Sequence, residues 1–271
     1  MASGAAARNN VQVHGPEDGP VLVFAHGFGT DQGMWGKVLP RFTDRYRVVL
    51  LDHVGSGGSD QSAYDSATYS TLDAYVDDLM ELCGELDLQD VTLIGHSVGS
   101  MMAISAAARD TGRRFGRLVL VTASPSYLDH PEDGYVGGFT RQDIDDVFES
   151  LDANYVVWAE SMAPVYMNTP HAPELEHEIQ GSFGRISPRV ARDFARVAFL
   201  SDVRHLLGEV TIPVLVLQST DDVVTPDHVG TYLHKALPNS TLVRLAATGH
   251  FPQSSAPEET SAAILEFLKP A

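Results

Sequence analysis

Cysteine is nearly missing from this chain. Cys83 stands alone among 271 residues, so no disulfide can form within it. Its setting, an apolar helical pattern, reads as a buried core position and not a reactive thiol. Basic residues are scarce as well: 18 Lys and Arg face 36 Asp and Glu, a formal charge of −18. Phosphate backbones are bound by clustered Lys and Arg, so nucleic acid is excluded as a partner. The acidic excess serves solubility and does not bear on fold. No apolar run suits a membrane span. Residues 91–108 lack Asp, Glu, Lys and Arg, but their centre is Gly-His-Ser-Val-Gly, a turn sequence. Residues 1–10 show no basic segment followed by an apolar core, so no secretory signal is read and a cytoplasmic location is expected.

What is present reads as an ordinary folded protein, 44% hydrophobic and 20% charged. The length suits one large domain with an insertion, or two domains. Its organising stretch is residues 91–109: an apolar run, then Gly95-His-Ser97-Val-Gly99, then an alanine-rich segment. A buried strand there meets a helix at a turn too tight for ordinary side chains, and Gly95 and Gly99 relieve it. Ser97 is thereby lifted to a helix N-terminus, where free N–H groups favour negative charge. This is the nucleophile elbow of the α/β-hydrolases.

Strands are expected at residues 11–13, 21–25, 46–52, 91–94, 118–123, 212–218 and 241–245. Their alternation with helices at 72–86 and 98–109 implies an α/β fold. The sheet should be mostly parallel, with helices on both faces. The second strand runs into His26-Gly-Phe28-Gly29, a loop able to aim a backbone N–H at the nucleophile. Phe28 N–H and Val98 N–H are therefore the expected oxyanion-hole donors. The loop at 53–60 has glycines but no Lys and no Walker spacing, so no phosphate site is read there. No cofactor or metal is called for.

Between 124 and 207 the strands stop, and short helical patterns appear at 141–151, 154–162, 174–183 and 188–199. The expected division is a core of 1–123 and 208–271 with a helical lid at 124–207. Tyr127, Phe139, Trp158, Met162 and Phe199 are candidates, with Phe28, for an apolar substrate pocket. Taken singly, each of the insertion's five also reads as packing.

The sheet resumes before Ser219-Thr-Asp221-Asp222-Val-Val-Thr-Pro226, and an acid just past a strand end can orient a histidine. Asp221 and Asp222 both qualify. After the last strand comes Gly249-His250, the one histidine of 11 on a loop placed to reach Ser97. His96, beside the nucleophile, is read as packing locally. Serine, acid, histidine is the α/β-hydrolase order, with Ser97 as nucleophile and His250 as general base. A serine at the elbow, where dehalogenases and epoxide hydrolases of this fold carry aspartate, argues against halide or epoxide chemistry.

More of the chain resembles one family within that fold. The shared motifs include Ala7-Arg-Asn-Asn-Val11, Ala25-His-Gly-Phe-Gly29, Val54-Gly-Ser-Gly57, Ser124-Pro125, Gly137-Gly-Phe139, Asn154-Tyr155 and Trp158-Ala159. They resemble the RsbQ-like hydrolases of the bacterial sigma-B energy-stress pathway, and the related plant strigolactone and karrikin receptors. The family spacing of an Asp four residues before a Pro, here Pro226, selects Asp222 as the acid. The resemblance implies a four-helix lid over a hydrophobic pocket and places Phe139 and Phe199 facing the ligand. It implies slow hydrolysis of a small hydrophobic ester or lactone through an acyl-enzyme, and a PAS-domain phosphatase as partner. Residues 165–173, with two prolines, depart most from the plant receptors. A receptor with incidental turnover and a perhydrolase or haloperoxidase on the same triad are the alternative readings.

Overall fold

A computed structural model describes residues 4–270; residues 1–3 of the N-terminal stretch read above, and 271, lie outside the described residues. Its frame is a seven-stranded sheet of β1 (Gln12–His14), β2 (Val21–Ala25), β3 (Arg47–Leu50), β4 (Val91–His96), β5 (Phe115–Val121), β6 (Val214–Thr220) and β7 (Ser240–Thr248). The order is β1-β3-β2-β4-β5-β6-β7, parallel except where β1 pairs antiparallel with β3. Every residue of the central β4 is buried, as a strand covered on both faces requires.

A short α1 (Ala5–Arg8) precedes the sheet, and α2 (Leu72–Glu85), α3 (Val98–Arg109) and α7 (Asp227–Ala236) cross between its strands. All three crossovers step the same way along the sheet, so right-handed connection puts these helices on one face. The β2-to-β3 connection steps the other way and lies on the opposite face. There its Gln32–Trp35 turn meets α8 (Pro252–Ser255), which leads into α9 (Pro257–Phe267). Cys83 is fully buried in α2, and burial pushes its thiol up to about 12, which removes thiolate reactivity.

The insertion between β5 and β6 contains α4 (Arg141–Met167), α5 (Pro173–Phe183) and α6 (Pro188–Leu200). A capping box of Thr140 and Asp143 starts α4. At Asn154 the backbone leaves helical geometry (φ −162°, ψ 98°), and the Asn154 side chain accepts from Val156 and Val157 N–H. The asparagine thus caps a second helix inside the first. That second half outruns the expected end at Met162. It continues through Pro164 to Met167, where Asn168 closes it in left-handed geometry (φ 49°). Strand β5 also begins earlier than expected, at Phe115, because half-buried Gly116 and Arg117 interrupt its apolar run. Among the described residues no helix is long and apolar enough to cross a membrane.

Candidate active site

The turn from β4 to α3 puts Ser97 at φ 56° and ψ −123°, a strained backbone for a residue with a side chain. The flanking glycines make it possible. A Cβ on Gly95 would stand 2.3 Å from the Gly99 carbonyl oxygen, and one on Gly99 would stand 2.5 Å from that of Ala25. Ser97 N–H donates to the Val121 carbonyl at 3.0 Å, fixing the elbow to β5. The next N–H, that of Val98, and the Phe28 N–H have no hydrogen-bond acceptor among the described residues. Both are therefore free donors beside the serine, and Val98 opens α3, where the helix dipole adds to the pull on an anion.

His250 arrives from the far edge of the sheet and is gripped at its own peptide. Its N–H donates to the Tyr166 carbonyl at 2.7 Å, and its carbonyl accepts from His96 Nε2 at 2.8 Å and Thr122 Oγ1 at 3.1 Å. The preceding Gly249 sits at φ 76°, where any Cβ would meet the Met167 carbonyl oxygen at 2.1 Å. So held, the ring spans two partners: Nδ1 lies 2.8 Å from Asp222 Oδ2, and Nε2 lies 2.8 Å from Ser97 Oγ.

Asp222 is buried, which by itself would discharge it. The facing His250 and hydrogen bonds from His250, Thr225 and Val224 outweigh that penalty and hold its carboxyl below the ordinary value. An ionised carboxylate can only accept, so Nδ1 of His250 carries the proton and Nε2 is left to take one from Ser97. Asp221 is exposed, and its carbonyl accepts from Asn168 Nδ2 at 3.2 Å. The structure therefore brings Ser97, Asp222 and His250 together and leaves Asp221 outside.

His96 does more than pack locally. Its Nε2 donates to the His250 carbonyl, its ring stacks on Phe251 at 5.0 Å, and it lines the cavity. Burial, with His250 beside it, keeps its imidazole neutral well below the ordinary histidine range.

Over Ser97 and His250 lies a cavity of about 20 Å³. That is close to the room one water-sized molecule needs. Of the expected pocket residues, Phe28, Tyr127 and Phe199 line it. Phe139, Trp158 and Met162 do not, which corrects the sequence reading. Phe139 packs behind Tyr127 and Phe199, at 6.5 and 5.9 Å between ring centroids. Trp158 packs behind Phe28 and Phe183, at 5.9 and 5.7 Å. Met162 is half-buried against the core. Besides His96, the lining residues missed are Tyr166, Phe183, Ala198, Val224 and Phe251. Tyr166 follows Met162 at helical spacing, and only the premature end given to that helix hid it. Tyr127 also reaches the nucleophile itself: its hydroxyl lies 3.0 Å from Ser97 Oγ.

A family model described as the alpha/beta hydrolase fold matches residues 20–257. The chain is an α/β hydrolase. This hydrolase is 38% identical over 261 residues to a strigolactone esterase of Arabidopsis thaliana, covering 96% of this chain and 94% of that protein. It is 36% identical over 263 residues to a probable esterase of Oryza sativa subsp. japonica, covering 96% of both. Among solved structures, a hydrolase from Oleispira antarctica superposes with a TM-score of 0.92 at 36% identity, covering 97% of this chain and 95% of that one.

Proposed function

We propose that this protein is a serine esterase that cleaves a small hydrophobic ester or lactone through an acyl-enzyme. The observation that carries the reading is the imidazole of His250, within 2.8 Å of both Ser97 Oγ and an ionised, buried Asp222. In this reading His250 Nε2 removes the serine proton as Oγ attacks the carbonyl. Asp222 stabilises the imidazolium, and His250 then gives the proton to the leaving oxygen. Phe28 and Val98 N–H receive the oxyanion, for which their lack of other acceptors suits them. A water, activated by the same histidine, then releases the acid. The two esterase relatives support ester hydrolysis, and the narrow cavity under residues 124–207, read as a lid, supports a small acyl group. The RsbQ-like motifs support a regulatory setting in the cytoplasm with a PAS-domain phosphatase as partner.

The test is hydrolysis of p-nitrophenyl acetate and butyrate by the wild type and by Ser97→Ala and His250→Ala. Each variant should lose roughly 10⁴ to 10⁶ in kcat with unchanged folding. Retention of a tenth of wild-type activity by Ser97→Ala would remove Ser97 from its role.

A second reading, a ligand receptor with incidental turnover, is favoured by one contact set. The end of α4 grips the loops of both partner residues: Tyr166 carbonyl holds His250, and Asn168 holds Asp221. Ligand chemistry at Ser97 and the posture of the insertion are thereby linked. A substrate that shifts the melting temperature of the Ser97→Ala protein, with slow turnover by the wild type, would support it.

A further inference from the structure

The polar side chains around the cavity are Ser97, His250, His96, Tyr127 and Tyr166. Four of them are committed. Ser97 and His250 face each other, His96 holds the His250 carbonyl, and the Tyr127 hydroxyl rests on Ser97 Oγ. Tyr166 is the exception. It is 7% exposed and lines the cavity, yet its hydroxyl has no hydrogen-bond partner among the described residues.

Its ring is closely fixed. Trp158, Phe183 and His250 pack around it at centroid distances of 6.1, 6.3 and 6.5 Å. Its own carbonyl accepts the His250 N–H at 2.7 Å, which ties the residue to the general base at the backbone. Burial, with Asp222 nearby, raises the phenol well above its ordinary value, so the hydroxyl stays protonated and is a donor. The hydroxyl keeps accessible surface, so the cost arises only when a substrate fills the cavity and covers it. A substrate that offers no acceptor then leaves the donor unpaired, and ligands that supply the missing partner are favoured.

We infer that Tyr166 is a specificity residue, donating its hydroxyl to a second acceptor oxygen of the substrate beyond the ester group. The substrate class is then an oxygen-bearing small ester or lactone, such as an alkoxy ester, and not a plain alkyl ester. This rests on the esterase reading above.

Two isosteric pairs test it, each exchanging one methylene for oxygen. Para-nitrophenyl butyrate and methoxyacetate vary the acyl side; butyl acetate and 2-methoxyethyl acetate vary the leaving side. Each ratio of kcat/KM is compared with the ratio for hydroxide-catalysed hydrolysis, which removes intrinsic reactivity. The wild type should exceed the hydroxide ratio for at least one pair by about tenfold, the scale of one buried unpaired group. Tyr166→Phe should erase that excess, chiefly through KM. A wild-type ratio equal to hydroxide for both pairs overturns the inference without recourse to any variant. So does an excess that survives in Tyr166→Phe. If Ser97→Ala instead hydrolyses these esters as well as the wild type, the esterase reading itself has failed.

Discussion

Asp222 and Asp221 are neighbours in sequence and opposites in environment. Asp222 is buried with both oxygens occupied, by Val224 and Thr225 N–H on one and by Thr225 Oγ1 and His250 on the other. Asp221 lies in solvent and offers only its backbone. Asp222→Asn should lower kcat by about 10⁴, because an amide can donate to Nδ1 and so favours the wrong tautomer of His250. Asp221→Asn should stay near wild type. Steady-state kinetics on one p-nitrophenyl ester decides it, and equal losses would count against the assignment. From the residues alone both acids qualify; the family spacing before Pro226 chooses between them, and burial gives that choice a physical basis. Ser97 and His250 are easier to find, because an elbow glycine pair and a glycine before a loop histidine leave marks in the sequence.

Among the elements, the insertion is the least legible. Its helices show as periodicity, but which face of each meets the cavity depends on how α4, α5 and α6 pack on one another. Phe139 and Phe199 look equivalent in the sequence, yet only Phe199 lines the cavity, with Phe139 behind it. Their truncations should therefore differ. Phe199→Ala should change the ratio of activity on bulky esters to that on acetate esters. Phe139→Ala should leave that ratio close to wild type and act mainly on melting temperature. A Phe to Ala change in a fully buried position costs about 3–5 kcal/mol, and half-buried Phe139 should cost less. Identical ratios in both variants would mean that the cavity wall has been misread. The kink at Asn154 offers a separate check. Asn154→Ala removes the cap of the second half of α4, worth about 1 kcal/mol. A melting point lower by about 2 °C or more should follow.

For the whole molecule, the mostly parallel sheet follows from strands spaced by helices, and the strands differ from the sequence reading only at their ends. The spatial order β1-β3-β2-β4-β5-β6-β7, by contrast, is seen only in the structure. What the sequence does not reveal is a set of neutral histidines inside the fold. Burial keeps His26 below its ordinary value and holds His53 and His96 well below it. The contacts agree. His26 Nε2 accepts the His53 N–H at 3.0 Å, so a proton on that nitrogen would set donor against donor. Unfolded, each of these imidazoles takes a proton below pH of about 6.5; folded, each resists it until lower pH. Stability should thus be full above about pH 6.5 and fall as the pH drops below it. The slope is up to about 1.4 kcal/mol per pH unit for each histidine, or about 4 for the three. Asp222, with its folded value depressed, adds a loss in the same direction only further down, in the carboxylate range. Melting temperature should therefore decline from pH 7 to pH 5, and a flat profile across that interval would contradict this picture of the interior.

The proposed hydrolysis depends on Ser97 as the nucleophile activated by His250. Its most direct measurement is covalent labelling by a small alkyl fluorophosphonate, read by intact-protein and peptide mass spectrometry. The wild type should take up a single adduct, on the peptide carrying Ser97, with parallel loss of esterase activity. His250→Ala should label slower by orders of magnitude, and Ser97→Ala should not label at all. An adduct on any other residue, or labelling by His250→Ala at the wild-type rate, would contradict it.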